Sequence, residues 1–144
     1  MVSILIIGHG HFATGALSAT RLVAGAPSNV YALDFPEGMS ADELKQQMQQ
    51  LMSSIETPEI LVMADLAGGT PFRTAVELKM MLTDKQIRVM AGANMPALVE
   101  AAFSSDSMDL VELTEDAVQT GVEGFVDWDA QSEEESEPEF EDGL

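Results

Sequence analysis

Residues 4–15 read ILIIGHGHFATG. Four long or branched apolar residues, Ile4 to Ile7, run directly into His9 and His11, the only two histidines in the chain. A run this short, apolar at every successive position, suits a strand covered on both faces, as in a parallel sheet packed between helices. Three comparable runs follow: Val30 to Leu33, Ile60 to Ala64, and the more polar QIRVMAGA from Gln86 to Ala93.

Helical patterns separate these runs. In SADELKQQMQQLMSSI, Leu44, Met48, Leu51, Met52 and Ile55 recur at helical spacing, and Ser40 with Glu43 forms a capping box. TPFRTAVELKMML opens with Thr70 as an N-cap and Pro71 at the first helical position, where a missing N–H does no harm. Another helix is expected to begin near Asn94 to Pro96. A last one is expected near Thr114, with Glu115 and Asp116 in its first turn, where their charge complements the helix dipole. Between those two, MDLVEL (108–113) reads as one more strand after a very short connection. The expected fold is α/β: a three-layer open sheet of four parallel strands plus one antiparallel strand, with helices on both faces.

With 144 residues and 46% apolar composition, the chain is sized for one compact domain that buries roughly two-thirds of its unfolded surface. It has no cysteine, which removes disulfides, thiolate metal sites and cysteine nucleophiles. Its start lacks the basic and long apolar regions of a signal peptide, and no apolar segment approaches the ~20 residues of a membrane span. A cytoplasmic location is expected. The net charge of −19, from 25 acids and six bases, repels nucleic acid and anionic lipid, so neither is expected as a partner. Nine of the acids follow residue 126, and without them the charge is −10. DWDAQSEEESEPEFEDGL (127–144) therefore reads as an acidic, mobile tail appended to a domain of residues 1–126.

Ligands of open parallel sheets bind beyond the carboxyl ends of the strands, near the point where strand order reverses. His9 and His11 follow the first strand, Asp34 the second, and Asp65 with LAGGT the third, so all should meet on one rim. A histidine held by a carboxylate through one ring nitrogen keeps the other free as a nucleophile. Asp65 is the best placed acid. Gly8 and Gly10 permit close backbone approach, and the GGTP loop brings the N–H groups of a helix N-terminus, an anion site. Such a rim could accept a phosphoryl group, whereas no P-loop or dinucleotide fingerprint is present. Plainer readings exist for each residue: a solvated loop histidine, an aspartate capping a turn, an ordinary glycine connection. His9-x-His11 also has the look of the metal pair of barrel hydrolases, but that fold takes ~250 residues and this chain has about half. No third histidine completes such a set, and no metal is expected.

Together, ILIIGHGHFATGAL, YALDFPEG, VMADLAGGTPFRTA and VMAGANMPALVEAAF resemble the IIA component of the mannose-type (mannose, fructose, sorbose) branch of the bacterial phosphoenolpyruvate-dependent sugar phosphotransferase system (PTS). The likeness runs, in order, from residue 1 to about residue 125. It implies a phosphohistidine relay without a bound cofactor. His9 would accept a phosphoryl group on Nε2 from the phosphocarrier HPr and pass it to the EIIB component, with the membrane components EIIC and EIID further along and the complex touching the membrane only peripherally. Asp65 stands in the place of the family's orienting aspartate, and Gly10, Gly68, Gly69 and Thr70 in the places of residues beside the phosphoryl group. His11 falls on a variable position. The resemblance further implies a homodimer, in some relatives through exchange of a final strand, for which MDLVEL is the candidate here. Two departures stand out: many relatives carry Ser or Thr where this chain has Gly8, and the acidic tail has no counterpart. A phosphoryl-donor subunit of a dihydroxyacetone kinase and a non-catalytic regulatory module are the competing readings of the same pattern.

Overall fold

The computed structural model describes residues 1–134. Strand β1 (Ser3–His9), helix α1 (Phe12–Ala24), β2 (Val30–Phe35), α2 (Ala41–Ser54), β3 (Glu59–Ala64), α3 (Gly69–Met81), β4 (Gln86–Met90) and α4 (Met95–Ser104) alternate as expected. Helices α5 (Leu110–Glu123) and α6 (Trp128–Glu134) complete the described chain. The four strands are all parallel in the order β2-β1-β3-β4.

Alternation along the strands divides the core. Ile4, Ile6, Leu61 and Met63 face α1, α4 and α5, where Leu17, Leu98 and Leu113 meet them. Leu5, Ile7, Ile60 and Val62 face the other way, onto Leu44, Met48 and Met52 of α2 and Leu78 of α3. In the two central strands β1 and β3 the apolar side chains are buried on one face or the other, which contributes about 1.5–3 kcal/mol per large apolar residue and explains why these runs are apolar throughout. The helix starts follow local chemistry. Ser40 Oγ accepts the Glu43 N–H at 3.1 Å at the start of α2, and Asn94 Oδ1 accepts the Ala97 N–H at 3.1 Å at the start of α4.

Two expectations are corrected. MDLVEL is no strand: Asp109 caps α5 by accepting the Glu112 N–H at 2.9 Å, and the helix runs from Leu110. Leu110, Leu113, Ala117 and Gly121 are buried at helical spacing against α4 and the sheet, and this longer period overrides the short alternation Met108, Leu110. The sheet therefore has four strands among the described residues, the antiparallel strand is absent there, and Glu115 and Asp116 sit mid-helix. Second, α3 begins at Gly69 with Gly68 as N-cap, two residues ahead of Thr70, because two glycines in left-handed conformations turn the chain early. The first residues of the acidic segment form α6, which Asp127 caps by accepting the Ala130 N–H at 3.1 Å. The remainder of the acidic tail, 135–144, lies outside the described residues.

Candidate active site at the strand ends

The chain goes from β1 outward to β2, then crosses back to place β3 on the other side of β1. Strand order thus reverses between β1 and β3, and the crevice at their carboxyl ends is where such sheets hold ligands. His9 closes β1, and Asp65 directly follows β3. The register sets Ile7 beside Ala64, and the Asp65 N–H donates to the Ile7 carbonyl at 3.1 Å, carrying the pairing one residue further. The two residues face each other across this crevice.

One carboxylate oxygen does most of the holding. Asp65 Oδ2 accepts the His9 main-chain N–H at 2.9 Å and lies 2.8 Å from His9 Nδ1. Its other oxygen accepts the Leu66 N–H at 2.9 Å. Burial opposes ionisation of Asp65, but these three hydrogen bonds and the nearby imidazole outweigh it, and the carboxyl lies below its ordinary pKa. Being ionised, Asp65 can only accept, so in the neutral ring Nδ1 carries the proton and Nε2 the lone pair. The His9 side chain remains 46% exposed while Asp65 is 12% exposed: an accessible nucleophile on a sheltered anchor.

The glycine turn closes the other side of the ring. Gly68 and Gly69 have φ of 79° and 73°. A Cβ at Gly69 would stand 3.0 Å from His9 Cε1 and 3.1 Å from Nε2, so the turn lies against the free nitrogen. The first N–H groups of α3 have no intrahelical partner, and among the described residues no other backbone bond claims those of Gly69 and Thr70. As the N-terminus of α3 they form the positive end of the helix dipole, a kind of site suited to phosphoryl oxygens. Phe35 sets its ring edge-on to the imidazole, with centroids 6.1 Å apart and planes at 65°.

The remaining sequence candidates divide. Gly10 has φ 59°, and its N–H donates to the Phe35 carbonyl at 2.8 Å, so this amide is committed to the fold. His11 and Asp34 pair with each other on the same rim rather than joining the His9 network. Arg73 is exposed on α3. Gly8 is buried, and a Cβ there would meet Phe12 Cδ1 at 2.5 Å and Asp65 Cγ at 3.0 Å. The Phe12 ring thus fills the space a serine or threonine at position 8 would need. Phe12, Phe35 and Leu66 were not evident as site residues from sequence. Only their adjacency to GHGH, LDF and ADL hints at them.

Among the described residues, no helix is long and apolar enough to cross a membrane, and no three His, Asp or Glu gather as metal ligands.

A family profile described as "PTS system fructose IIA component" matches residues 3–118. The chain is 29% identical over 114 residues to the fructose-specific EIIA component of the PTS of Bacillus subtilis (strain 168), covering 78% of this chain and 77% of that protein. It is 32% identical over 126 residues to the mannose-specific EIIAB component of Escherichia coli (strain K12). That match takes in 85% of this chain but only 38% of the longer protein. Among solved structures, the phosphotransferase system component EIIA from Streptococcus agalactiae superimposes with a TM-score of 0.83 at 36% identity, over 90% of this chain and 99% of that one. The mannose/sorbose-specific IIA subunit from Enterococcus faecalis gives 0.77 at 25% identity, over 87% and 92%.

Proposed function

Because the chain belongs to the PTS fructose IIA family, within the mannose-type branch and with a phosphotransfer role in sugar transport, we propose that it is a phosphohistidine carrier that takes its phosphoryl group from HPr and delivers it to EIIB. One observation carries this reading: His9 Nδ1 is anchored 2.8 Å from Asp65 Oδ2, which leaves Nε2 facing the Gly68–Gly69 turn.

The chemistry follows from that geometry. The Nε2 lone pair forms a bond to phosphorus while the donor's N–P bond breaks, and the donor nitrogen leaves with the electron pair. The Nδ1 proton stays in place, and Asp65 stabilises the positive charge that develops on the imidazole. The Gly69 and Thr70 N–H groups, at the start of α3, would serve as donors to the oxygens of the transferring group. The acceptor's nucleophile then reverses these steps. With His9 nearly half exposed, the site is a shallow rim open to partner proteins, as a relay needs: it neither encloses the phosphoryl group nor surrounds it with fixed cations. Partner cations would meet a strongly acidic surface, which favours fast, weak, salt-sensitive encounters. The phosphoryl group originates from phosphoenolpyruvate, no cofactor is required, and the protein works in the cytoplasm beside the EIIC and EIID membrane components.

A homodimer belongs to the same proposal. The outer edge of β4 has no neighbour among the described strands, and Val111, Val118 and Val122 are exposed on the adjacent α5. Sedimentation equilibrium tests it directly, and a monomer at micromolar concentration overturns it.

The deciding experiment is intact-mass spectrometry after brief incubation with phosphoenolpyruvate, enzyme I and HPr. Wild type and His11→Ala should gain an acid-labile phosphoryl group that His9→Ala does not gain on that time scale, and addition of EIIB should remove it. Absence of any adduct in the three chains overturns the relay.

A further inference from the structure

His11 repeats, two residues further along the rim, the arrangement around His9. Its Nδ1 lies 3.2 Å from Asp34 Oδ2. Asp34 is itself fixed: its Oδ1 accepts the Thr14 N–H at 2.9 Å, and its Oδ2 accepts the Thr14 hydroxyl at 2.6 Å. Burial opposes ionisation of Asp34, yet the Thr14 hydrogen bonds and His11 outweigh it and hold the carboxyl below its ordinary pKa. The acid is therefore an acceptor at neutral pH, and in the neutral ring the proton sits on Nδ1 and leaves Nε2 with the lone pair. The His11 side chain is 82% exposed against 16% for Asp34. Through Thr14 the carboxylate also holds the first turn of α1, so His11 is oriented by an acid already fixed in place.

We propose that His11 is a second phosphoryl acceptor, loaded on Nε2 by a donor that carries phosphorus on nitrogen. The step balances as at His9. Nε2 donates its electron pair to phosphorus, the donor's P–N bond breaks with the pair leaving on the donor nitrogen, and Nδ1 keeps its proton against Asp34. The environment also orders the two sites. Asp65 receives both the ring and the main chain of His9, whereas Asp34 receives only the ring of His11. No glycine turn with free N–H groups is placed against His11 as Gly69 is against His9. His11 therefore loads more slowly than His9, and slower still once His9 carries charge. The second site extends what this rim can hold, and its chemistry does not depend on the relay partners.

Phosphoramidate, a small donor that needs no protein docking, tests this separately from the relay. Wild type should gain two acid-labile phosphoryl groups in sequence, His9→Ala one, His11→Ala one and the double variant none. Phosphorus NMR of the His9→Ala adduct should place the group on Nε2 alone. In His9→Ala/Asp34→Asn the loading rate should fall by about tenfold or more, and the Nδ1 isomer should appear, because the ring is no longer oriented. No adduct on His9→Ala overturns the proposal. So does an adduct whose rate and nitrogen are unchanged by Asp34→Asn, which marks an ordinary exposed histidine. Loading at His11 together with failure of HPr to load His9 would separate this result from the relay.

Discussion

A single oxygen of Asp65 receives both the main-chain N–H and the ring Nδ1 of His9, at 2.9 and 2.8 Å. The first contact fixes where the residue sits and the second fixes how its ring turns. Asp65→Asn keeps an acceptor oxygen of the same size but loses the charge that stabilises a phosphorylated imidazole. Phosphorylation by HPr should slow by about 10²-fold or more, with circular dichroism unchanged. A wild-type rate, followed by intact mass, would remove Asp65 from the role assigned to it.

The two glycines of the turn should fail in different ways. At Gly69, alanine is strained by the positive φ and also presses on Nε2 of His9, so both stability and phosphorylation rate should drop. At Gly68 nothing lies within reach of a Cβ, and the cost there is conformational, about 1–3 kcal/mol of stability. Thermal melts and loading rates on the two single variants separate the effects. Equal loss of rate per unit of lost stability would contradict the close packing of Gly69 on the ring.

Gly8→Ser should destabilise the protein by about 1–3 kcal/mol, because its Cβ overlaps Phe12 Cδ1 and presses on Asp65. Phe12→Ala removes the obstacle. In a double-mutant cycle by urea unfolding, the combined loss should be smaller than the sum of the single losses. Additive losses would mean that the ring does not occupy the position-8 space.

Stability should respond to pH through two carboxyl groups of opposite sign. Asp116, on α5, has its pKa raised by a hydrogen bond shared with Glu100, by burial, and by the charges of Glu100 and Glu123. Its Oδ2 is buried and meets no protein donor, so only a proton held on one of the two carboxyl groups can join it to Glu100. A raised acid favours the folded state only while protonated, so its cost to folding sets in above the unfolded pKa and is complete once the pH has risen through the folded one. Asp116→Asn should raise the melting temperature at pH 7, with the gain gone below the ordinary carboxylate range, about pH 3.9. Asp34 has the opposite sign: its lowered pKa stabilises the fold above the unfolded value, and that contribution fades as the pH falls through the folded one. Asp34→Asn should therefore lower the neutral-pH melting temperature and flatten the acid limb. Scanning calorimetry at pH 3 and pH 7 reads both, and a gain for Asp116→Asn that persists at pH 3 would point to something other than titration.

What the sequence determined by itself was periodic or local. The strands β1 to β4 were legible because burial on two faces demands unbroken apolar runs, and α2 because its apolar residues recur with the helical period behind a serine cap. The rim was legible too, since parallel strands all end on the same side, and this placed His9, His11, Asp34 and Asp65 together. The 108–113 segment misled because its six residues fit both a strand and a helix, and only contact with α4 and the sheet selects the helical face of Leu110 and Leu113. The pairing of His9 with Asp65 was expected from the motifs, whereas that of His11 with Asp34 was not. Four residues on one rim allow either histidine to meet either acid. The choice of Asp65 for His9 and Asp34 for His11 rests on the strand order β2-β1-β3, which puts one acid on each side of β1. Local sequence specifies which residues end the strands; which of them touch depends on how the strands are ordered, and that is settled only when helices from distant parts of the chain bury both faces of the sheet at once.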